Sequence, residues 1–334
     1  MSGIKVAILI PSTTKERPWK NIKETDLYKI NLKSFLLTYD PEHTYTYYVG
    51  IDNDDPLYSK ESERKELLRF ISVMKNVSLQ FISMQGIKKG HLTVMWNRLF
   101  HKAYHDGYDY FYQCGDDIQF INKGWVSKSI KLLRLYHNLG CTGPHDKMQY
   151  RVHTQSFVSR KHYEIFKFYF PPEIINWFCD DWMTKVYWED LLYPLLDKWC
   201  MNCGGAPRYI NPHYNHTYDK QKNLSDKLIT RDRKKLAYIL QESGLTFPKS
   251  IMIQEQAKMK IGFKENEKKY DKLVNNTHTA VLNSVKKQKD TYQSTIQKII
   301  QQKKIIQSTK PLSLLNELKT TISHKKAMGL LIKD

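Results

Sequence analysis

Tyr108-Asp109-Tyr110-Phe111-Tyr112-Gln113-Cys114-Gly115-Asp116-Asp117-Ile118 is an aromatic, strand-like run that closes on a glycine and two adjacent carboxylates. An apolar strand fixes the backbone and a glycine lets a ligand approach closely. The hard oxygens of Asp116 and Asp117 suit Mg²⁺ or Mn²⁺ better than a softer metal. Carboxylates at a strand exit are one way to hold a divalent cation beside a diphosphate. Taken alone, the pair also reads as a polar strand exit closed by an Asx turn. Its company in the sequence favours the first reading.

Upstream, Val6 to Ile10, Tyr45 to Ile51 and Ser78 to Ser83 are short β-rich runs. Helical patterns at Asp26 to Leu37, Lys60 to Met74 and Thr93 to His105 alternate with them. This alternation predicts βαβ units and a mainly parallel sheet flanked by helices. Ligands on such sheets bind outside the carboxyl ends of the strands. Those ends carry Pro11, Ser12, Thr13, Thr14, Lys15 and Arg17 after the first strand and Asp52, Asn53, Asp54 and Asp55 after the second. Hydroxyls with basic side chains suit phosphate or a base. An acidic loop can accept hydrogen bonds from a nucleobase or ribose. Three polar loops on one edge describe a nucleotide site.

Downstream, the pattern predicts a helix near Trp125 to His137, a Gly/Pro-punctuated stretch from Gly140 to Asp146, a strand at Val152 to Val158 and a helix at Arg160 to Phe168. A second acidic doublet, Asp180-Asp181, lies in Asn176-Trp177-Phe178-Cys179-Asp180-Asp181-Trp182 and leads into a helix through Tyr187 and Leu191. Its aromatic flanks, Trp182 among them, give a partly dry setting that raises a carboxylate's pKa and makes it a better base. Helix N-capping by Asp180 is the structural alternative. Glu189-Asp190, inside a helical pattern, is the fallback pair. His213 and His216 fall in a loop-like segment, Tyr209 to Tyr218, from which a neutral imidazole can reach a metal.

The chain has 334 residues with 41% hydrophobic and 13% aromatic content, enough for a large core. Its formal charge of +19 would suggest nucleic acid or an anionic membrane as partner. However, from Lys220 onward about 25 Lys and Arg face about 10 Asp and Glu, so most of the excess sits in the last third. Five scattered cysteines form no disulfide framework, and Cys200-Met201-Asn202-Cys203 lacks two further zinc ligands at suitable spacing unless His213 and His216 serve. The N-terminal run reads as a buried strand rather than a signal peptide, and no apolar run is long enough to span a membrane. The expected location is therefore cytoplasmic. Residues 270–308 carry a seven-residue recurrence (Val285, Tyr292, Ile299, Ile306) that suits an oligomerisation or docking helix.

The order of these parts resembles the GT-A glycosyltransferases, particularly the family 2-like group, over residues 4 to about 218. The stretch Gly90, Trp96-Asn97-Arg98, Ala103, Gly107 to Asp117 carries much of the likeness, and the sequence also resembles glycosyltransferases of giant DNA viruses. The resemblance implies a GT-A catalytic domain over 1–220, with a nucleotide-sugar-binding half (1–120) and an acceptor half (121–220). A basic, mostly helical extension follows over 221–334. It implies Asp117 as metal ligand, Asp116 on ribose or metal, an inward Asn97, Asp181 as base beside Asp180, and His216 as a late ligand to Mn²⁺ or Mg²⁺. Gly115 departs from the family's pattern by standing where many members have another Asp. The implied activity is metal-dependent, inverting transfer from a nucleotide sugar, by default a UDP-sugar, to an acceptor hydroxyl on a glycan, lipid-linked molecule or protein. Two alternatives remain: a nucleotidyltransferase, whose glycine-rich loop is missing from Pro11 to Arg17, and a nucleic-acid-binding protein with a degenerate transferase fold.

Overall fold

The computed structural model describes residues 3–149, 151–187, 191–204 and 214–244, with the side chains of 214–218 excepted. The chain divides into two compact units, Met1–Glu267 and Lys268–Asp334; the second lies outside the described residues, as do Glu189, Asp190, His213 and the heptad recurrence.

Eight strands form one sheet: β1 (Lys5–Pro11), β2 (Thr44–Ile51), β3 (Val77–Ser83), β4 (Tyr110–Gln113), β5 (Ile118–Phe120), β6 (Cys141–Asp146), β7 (Ser156–Ser159) and β8 (Leu192–Asn202). Their order is β3-β2-β1-β4-β7-β6-β8-β5. The first four are mutually parallel. β7 is antiparallel to both β4 and β6, so β6 runs in the direction of β4, and their carboxyl ends share one edge of the sheet. β8 is parallel to β6, and β5 closes the far side antiparallel to β8.

Val6, Ala7, Ile8, Leu9 and Ile10 of β1 are all fully buried, because helices cover both faces of the sheet. Alternation sends Ala7 and Leu9 to one core and Val6, Ile8 and Ile10 to the other. The first core packs α3 (Leu92–His105), α5 (Arg160–Phe166), α6 (Cys179–Tyr187) and α7 (Tyr214–Ser243). The second packs α1 (Lys33–Thr38), α2 (Glu61–Ile71) and α4 (Trp125–Leu135). Each wholly buried aliphatic side chain contributes about 1.5–3 kcal/mol, so β1 is an anchor of the domain. No helix among the described residues is long and apolar enough to cross a membrane.

The α/β class expected from the sequence is the one observed, and the four parallel strands match their expected positions closely. The second half differs. The Gly/Pro-punctuated stretch at 141–146 is strand β6, whose Pro144 sits beside a register shift, a position where the sheet tolerates a missing N–H donor. The helix expected through Leu191 is described from Cys179 to Tyr187, residues 188–190 lie outside the described residues, and Leu192 begins β8. The strand read at Val152 to Val158 is only Ser156–Ser159. From Tyr214 the backbone is helical, so His216 lies in a helix rather than a loop.

Candidate functional site

At the carboxyl end of β1 the chain turns through buried Ser12, Thr13 and Thr14. The turn is tied to the loop after β2 by Asp55, whose fully buried carboxylate accepts from Thr13 Oγ1 (3.0 Å), the Thr14 amide (2.6 Å), Thr14 Oγ1 and the amides of Leu57 (3.1 Å) and Tyr58 (3.0 Å). A buried carboxylate is stable only when its lone pairs are filled this way. Asp55 is therefore structural, and Asp52 and Asp54 are the loop's available acids. Lys15 bridges them, at 3.2 Å from Asp52 and 2.5 Å from Asp54. Its ammonium pKa is raised first by the hydrogen bond to Asp54, and the Asp54 carboxyl is lowered by the same bond. Asn53 reaches across to β3's exit, donating to Gln85 Oε1 (2.9 Å) and accepting from Ser83 Oγ (2.6 Å). Between these loops lies a cleft of about 300 Å³ bounded by Lys15, Asp52, Asp54, Met84, Gly86 and Lys89.

Asp116 is buried and accepts from Ser12 Oγ at 2.5 Å, while Ser12 Oγ also contacts the Tyr58 hydroxyl at 2.8 Å. The loops after β1, β2 and β4 thus meet through these three side chains. The turn beneath Asp116 is held by Asn31, whose amide donates to the Gly115 carbonyl (3.2 Å) and whose Oδ1 accepts from Tyr47 (3.1 Å). Asn31 lies in a π-helical turn, Leu27–Leu32, that leads into α1; such turns re-aim a single side chain. Asp117 is half-buried between two glycines. A Cβ at Gly115 would collide with Asp117 Oδ1, and a Cβ at Gly204 would overlap Oδ2 and stand 2.7 Å from Cγ. A side chain at residue 115 would require the Asp117 carboxylate to turn aside.

Asp146 ends β6 on the same edge. It accepts from the Met148 amide (2.9 Å), the Asn202 amide (3.3 Å) and Thr154 Oγ1 (3.0 Å). Asp117 and Asp146 are both near enough to raise the Cys203 thiol, after burial, and Asp146 acts likewise on Asp180. The doublet opens α6 directly after Phe178, whose φ of 74° is a left-handed conformation that a bulky residue holds only under constraint from its surroundings. Asp181 is buried in a bidentate fork with Arg151, at 2.5 and 3.0 Å. Asp180 takes a weak contact from the Cys179 thiol at 3.5 Å. Burial pushes its carboxyl up to about 7, with the Asp181 charge adding to the rise and the Cys179 hydrogen bond and the Arg151 charge opposing it.

Ser12, Thr13, Asp52, Asn53, Asp54, Asp116 and Asp117 are brought together at the edge, and Asp180 and Asp181 approach it through Asp146. Pro11 ends β1 beside them. Arg17 places its guanidinium 5.6 Å from the Trp19 ring, with a buried Nε that has no hydrogen-bond partner among the described residues. Asn97 and Trp182, read as substrate-side residues, have partners within the protein. Asn97 is a clamp for the turn after α5, donating to the Phe170 carbonyl and accepting from the Tyr169 and Phe170 amides (2.8–2.9 Å). Trp182 is fully buried and gives its Nε1 proton to Asp232 of α7 at 2.9 Å, as a core residue does. The side chain of His216 lies outside the described residues. Asn31, Asp146 and Arg151 escaped the sequence reading; the partners of Asn31 and Arg151 lie far away in the chain.

Asp117 and Asp116 offer carboxylate oxygens at a strand exit, the donor type that a hard cation takes. The cysteines of the CxxC differ in setting, Cys200 buried and Cys203 exposed. Among the described residues, one group of three metal-ligand side chains stands within 4.8 Å: Asp40, Glu42 and His43. It lies before β2, at the opposite edge, where Asp40 caps α4 by accepting from the Gly124 and Ser127 amides.

No family model and no curated protein matches the chain. Among solved structures it is similar to S. aureus TarS. One TarS crystal structure aligns at TM-score 0.41 and 13% identity over 60% of this chain and 37% of that one. TarS 1–349 with UDP-GlcNAc aligns at 0.45 and 13% over 69% and 66%. TarS 1–349 with UDP aligns at 0.40 and 13% over 59% and 60%. The chain thus spans well under two thirds of the first of these proteins.

Proposed function

We propose that this chain is a glycosyltransferase that moves a sugar from a nucleotide sugar to an acceptor hydroxyl with inversion. The observation that supports this reading is the gathering of Asp116, Asp117, Asp146 and Asp180 on one sheet edge beside a nucleotide-sized cleft. The base and ribose would lie against Lys15, Asp52, Asn53 and Asp54. Arg17, with its unpartnered buried Nε, is suited to the donor's phosphates. Asp117 and Asp116 would hold Mn²⁺ or Mg²⁺, which when bound supplies neutralising charge for the diphosphate leaving group.

Of the acidic doublet, Asp180 is the better base. Asp181 has both oxygens in the Arg151 fork and acts as the fixed post that anchors it. Asp180, with its carboxyl near 7, is both basic enough to take a hydroxyl proton and ionised often enough to do so at neutral pH. As the acceptor oxygen bonds to the anomeric carbon, the bond to the diphosphate breaks and the acceptor proton passes to Asp180. A base so placed contributes about 10² to 10⁴ in rate.

The test is thermal shift against nucleoside diphosphates and sugar nucleotides, UDP and UDP-GlcNAc included, with Mn²⁺ or Mg²⁺ and with chelator. A ligand at a hundred times its dissociation constant adds about 2.7 kcal/mol to a native state that alone binds it. We expect a metal-dependent shift that Asp117→Asn abolishes. A panel that leaves the melting temperature unmoved in the presence of metal would overturn the proposal.

A further inference from the structure

We propose that His101 and His105 form a binding site for a divalent transition-metal ion, separate from the carboxylate edge. Both lie in the last two turns of α3, four residues apart, on the same face of the helix. Both are exposed, and their Nε2 atoms stand 3.1 Å apart. With metal–nitrogen bonds of about 2.0–2.1 Å, two imidazoles on one ion are separated by about 2.9 Å at a right angle and about 3.3 Å at the tetrahedral angle. The observed separation falls between the two, so an ion can enter with little movement of either ring. Without metal, one Nε2 proton fills the gap as an N–H to N hydrogen bond. On binding, that proton moves to Nδ1 of the same ring through solvent, and both Nε2 lone pairs then face the ion.

The rings are also positioned. Tyr163 of α5 packs against both, at 6.0 Å from His101 and 6.2 Å from His105, and is itself stacked on Tyr104 at 4.0 Å. This aromatic wall limits the rotamers of the pair and so lowers the entropy lost on chelation. Burial lowers the His101 pKa, with the neighbouring His105 adding to the effect, which keeps that imidazole neutral. Two imidazoles select Ni²⁺, Cu²⁺, Co²⁺ or Zn²⁺ over Mg²⁺ and Ca²⁺, with water completing the coordination. α3 starts just past the carboxyl end of β3 and returns to the start of β4, so its last turns lie at the sheet edge opposite Asp116 and Asp117.

The experiment is calorimetric titration of the full chain with Ni²⁺ in excess Mg²⁺, which occupies hard-oxygen sites, for the wild type, His101→Gln and His105→Gln. Circular dichroism confirms that each variant is folded. Because the second imidazole binds intramolecularly, losing either one should weaken the site by on the order of tenfold or more. The same site should be lost in both variants, and Ni²⁺ should raise the melting temperature of the wild type only. Equal Ni²⁺ affinity in wild type and either variant would overturn the proposal, as would no Ni²⁺ binding by the wild type.

Discussion

Replacing Asp180 by Asn should stabilise the protein at alkaline pH while removing its activity. In the native state burial raises this carboxyl from 3.8 to about 7. The unfolded chain releases the same proton near pH 4, so between about pH 4 and pH 7 the native state holds one proton more than the unfolded state. Stability from this group is therefore fully present below pH 4 and is lost as pH rises, at about 1.4 kcal/mol per pH unit, until Asp180 ionises in both states. The whole interval corresponds to about 4 kcal/mol, and solvent reaching a half-buried group reduces this to roughly 2. Asn has the shape of the protonated acid and cannot ionise. Urea unfolding of wild type and Asp180→Asn from pH 4 to pH 8 should give curves that separate in the variant's favour by roughly 2 kcal/mol, with common groups cancelling in the difference. Transfer by the variant should fall by about 10² to 10⁴, and wild-type activity should rise through pH 7. Parallel stability curves, or a variant with full transfer activity, would refute the assignment of Asp180 as the raised, proton-accepting carboxyl.

Gly204→Ala tests the cradle around Asp117. The added methyl overlaps a carboxylate that can rotate away, so the fold should lose less than about 1 kcal/mol while metal-dependent nucleotide binding weakens by tenfold or more in the thermal-shift assay; an unchanged shift would show that the carboxylate has no such role. Asn97→Ala should do the reverse. Two backbone amides and a carbonyl lose their partner, lowering stability by roughly 2–3 kcal/mol by urea unfolding, with donor affinity in the folded protein unaltered.

The parallel half of the fold was legible because its signals are local: an apolar run, a polar exit, an amphipathic helix, repeated. Asp116 and Asp117 were readable for the same reason, since strand, glycine and carboxylates are adjacent in the chain. The mixed half was not. β6 reads as a turn because Gly143 and Pro144 are strand breakers by composition, and only pairing with β7 and β8 reveals that the sheet accommodates them at a register shift. The resemblance implied an inward Asn97. What it contacts is a turn some 70 residues onward, which no local pattern displays. Arg151 lacks any local mark because its partner, Asp181, is brought near only by the packing of α6. The doublet could be found from its pattern, but which of its two acids is tied up by Arg151 depends on packing alone.

A chain with a formal charge of +19 has nonetheless gathered five carboxylates, Asp116, Asp117, Asp146, Asp180 and Asp181, near one sheet edge. Like charges that close destabilise one another, and the cost is evident at Asp180, where Asp181 and Asp146 both oppose ionisation. The fold spends specific interactions to keep them there: Ser12 on Asp116, two glycines around Asp117, three hydrogen bonds on Asp146 and a guanidinium fork on Asp181. Core stability gains nothing from that concentration, since aliphatic residues at the same strand ends would pack without repulsion. Cation binding does gain from it, because each neighbouring carboxylate deepens the negative potential that an incoming divalent ion feels. Burial is the largest cause of the raised Asp180 carboxyl, and the Asp181 and Asp146 charges add to it, so in the proposed enzyme the same field that would draw in the ion would also help to set the base.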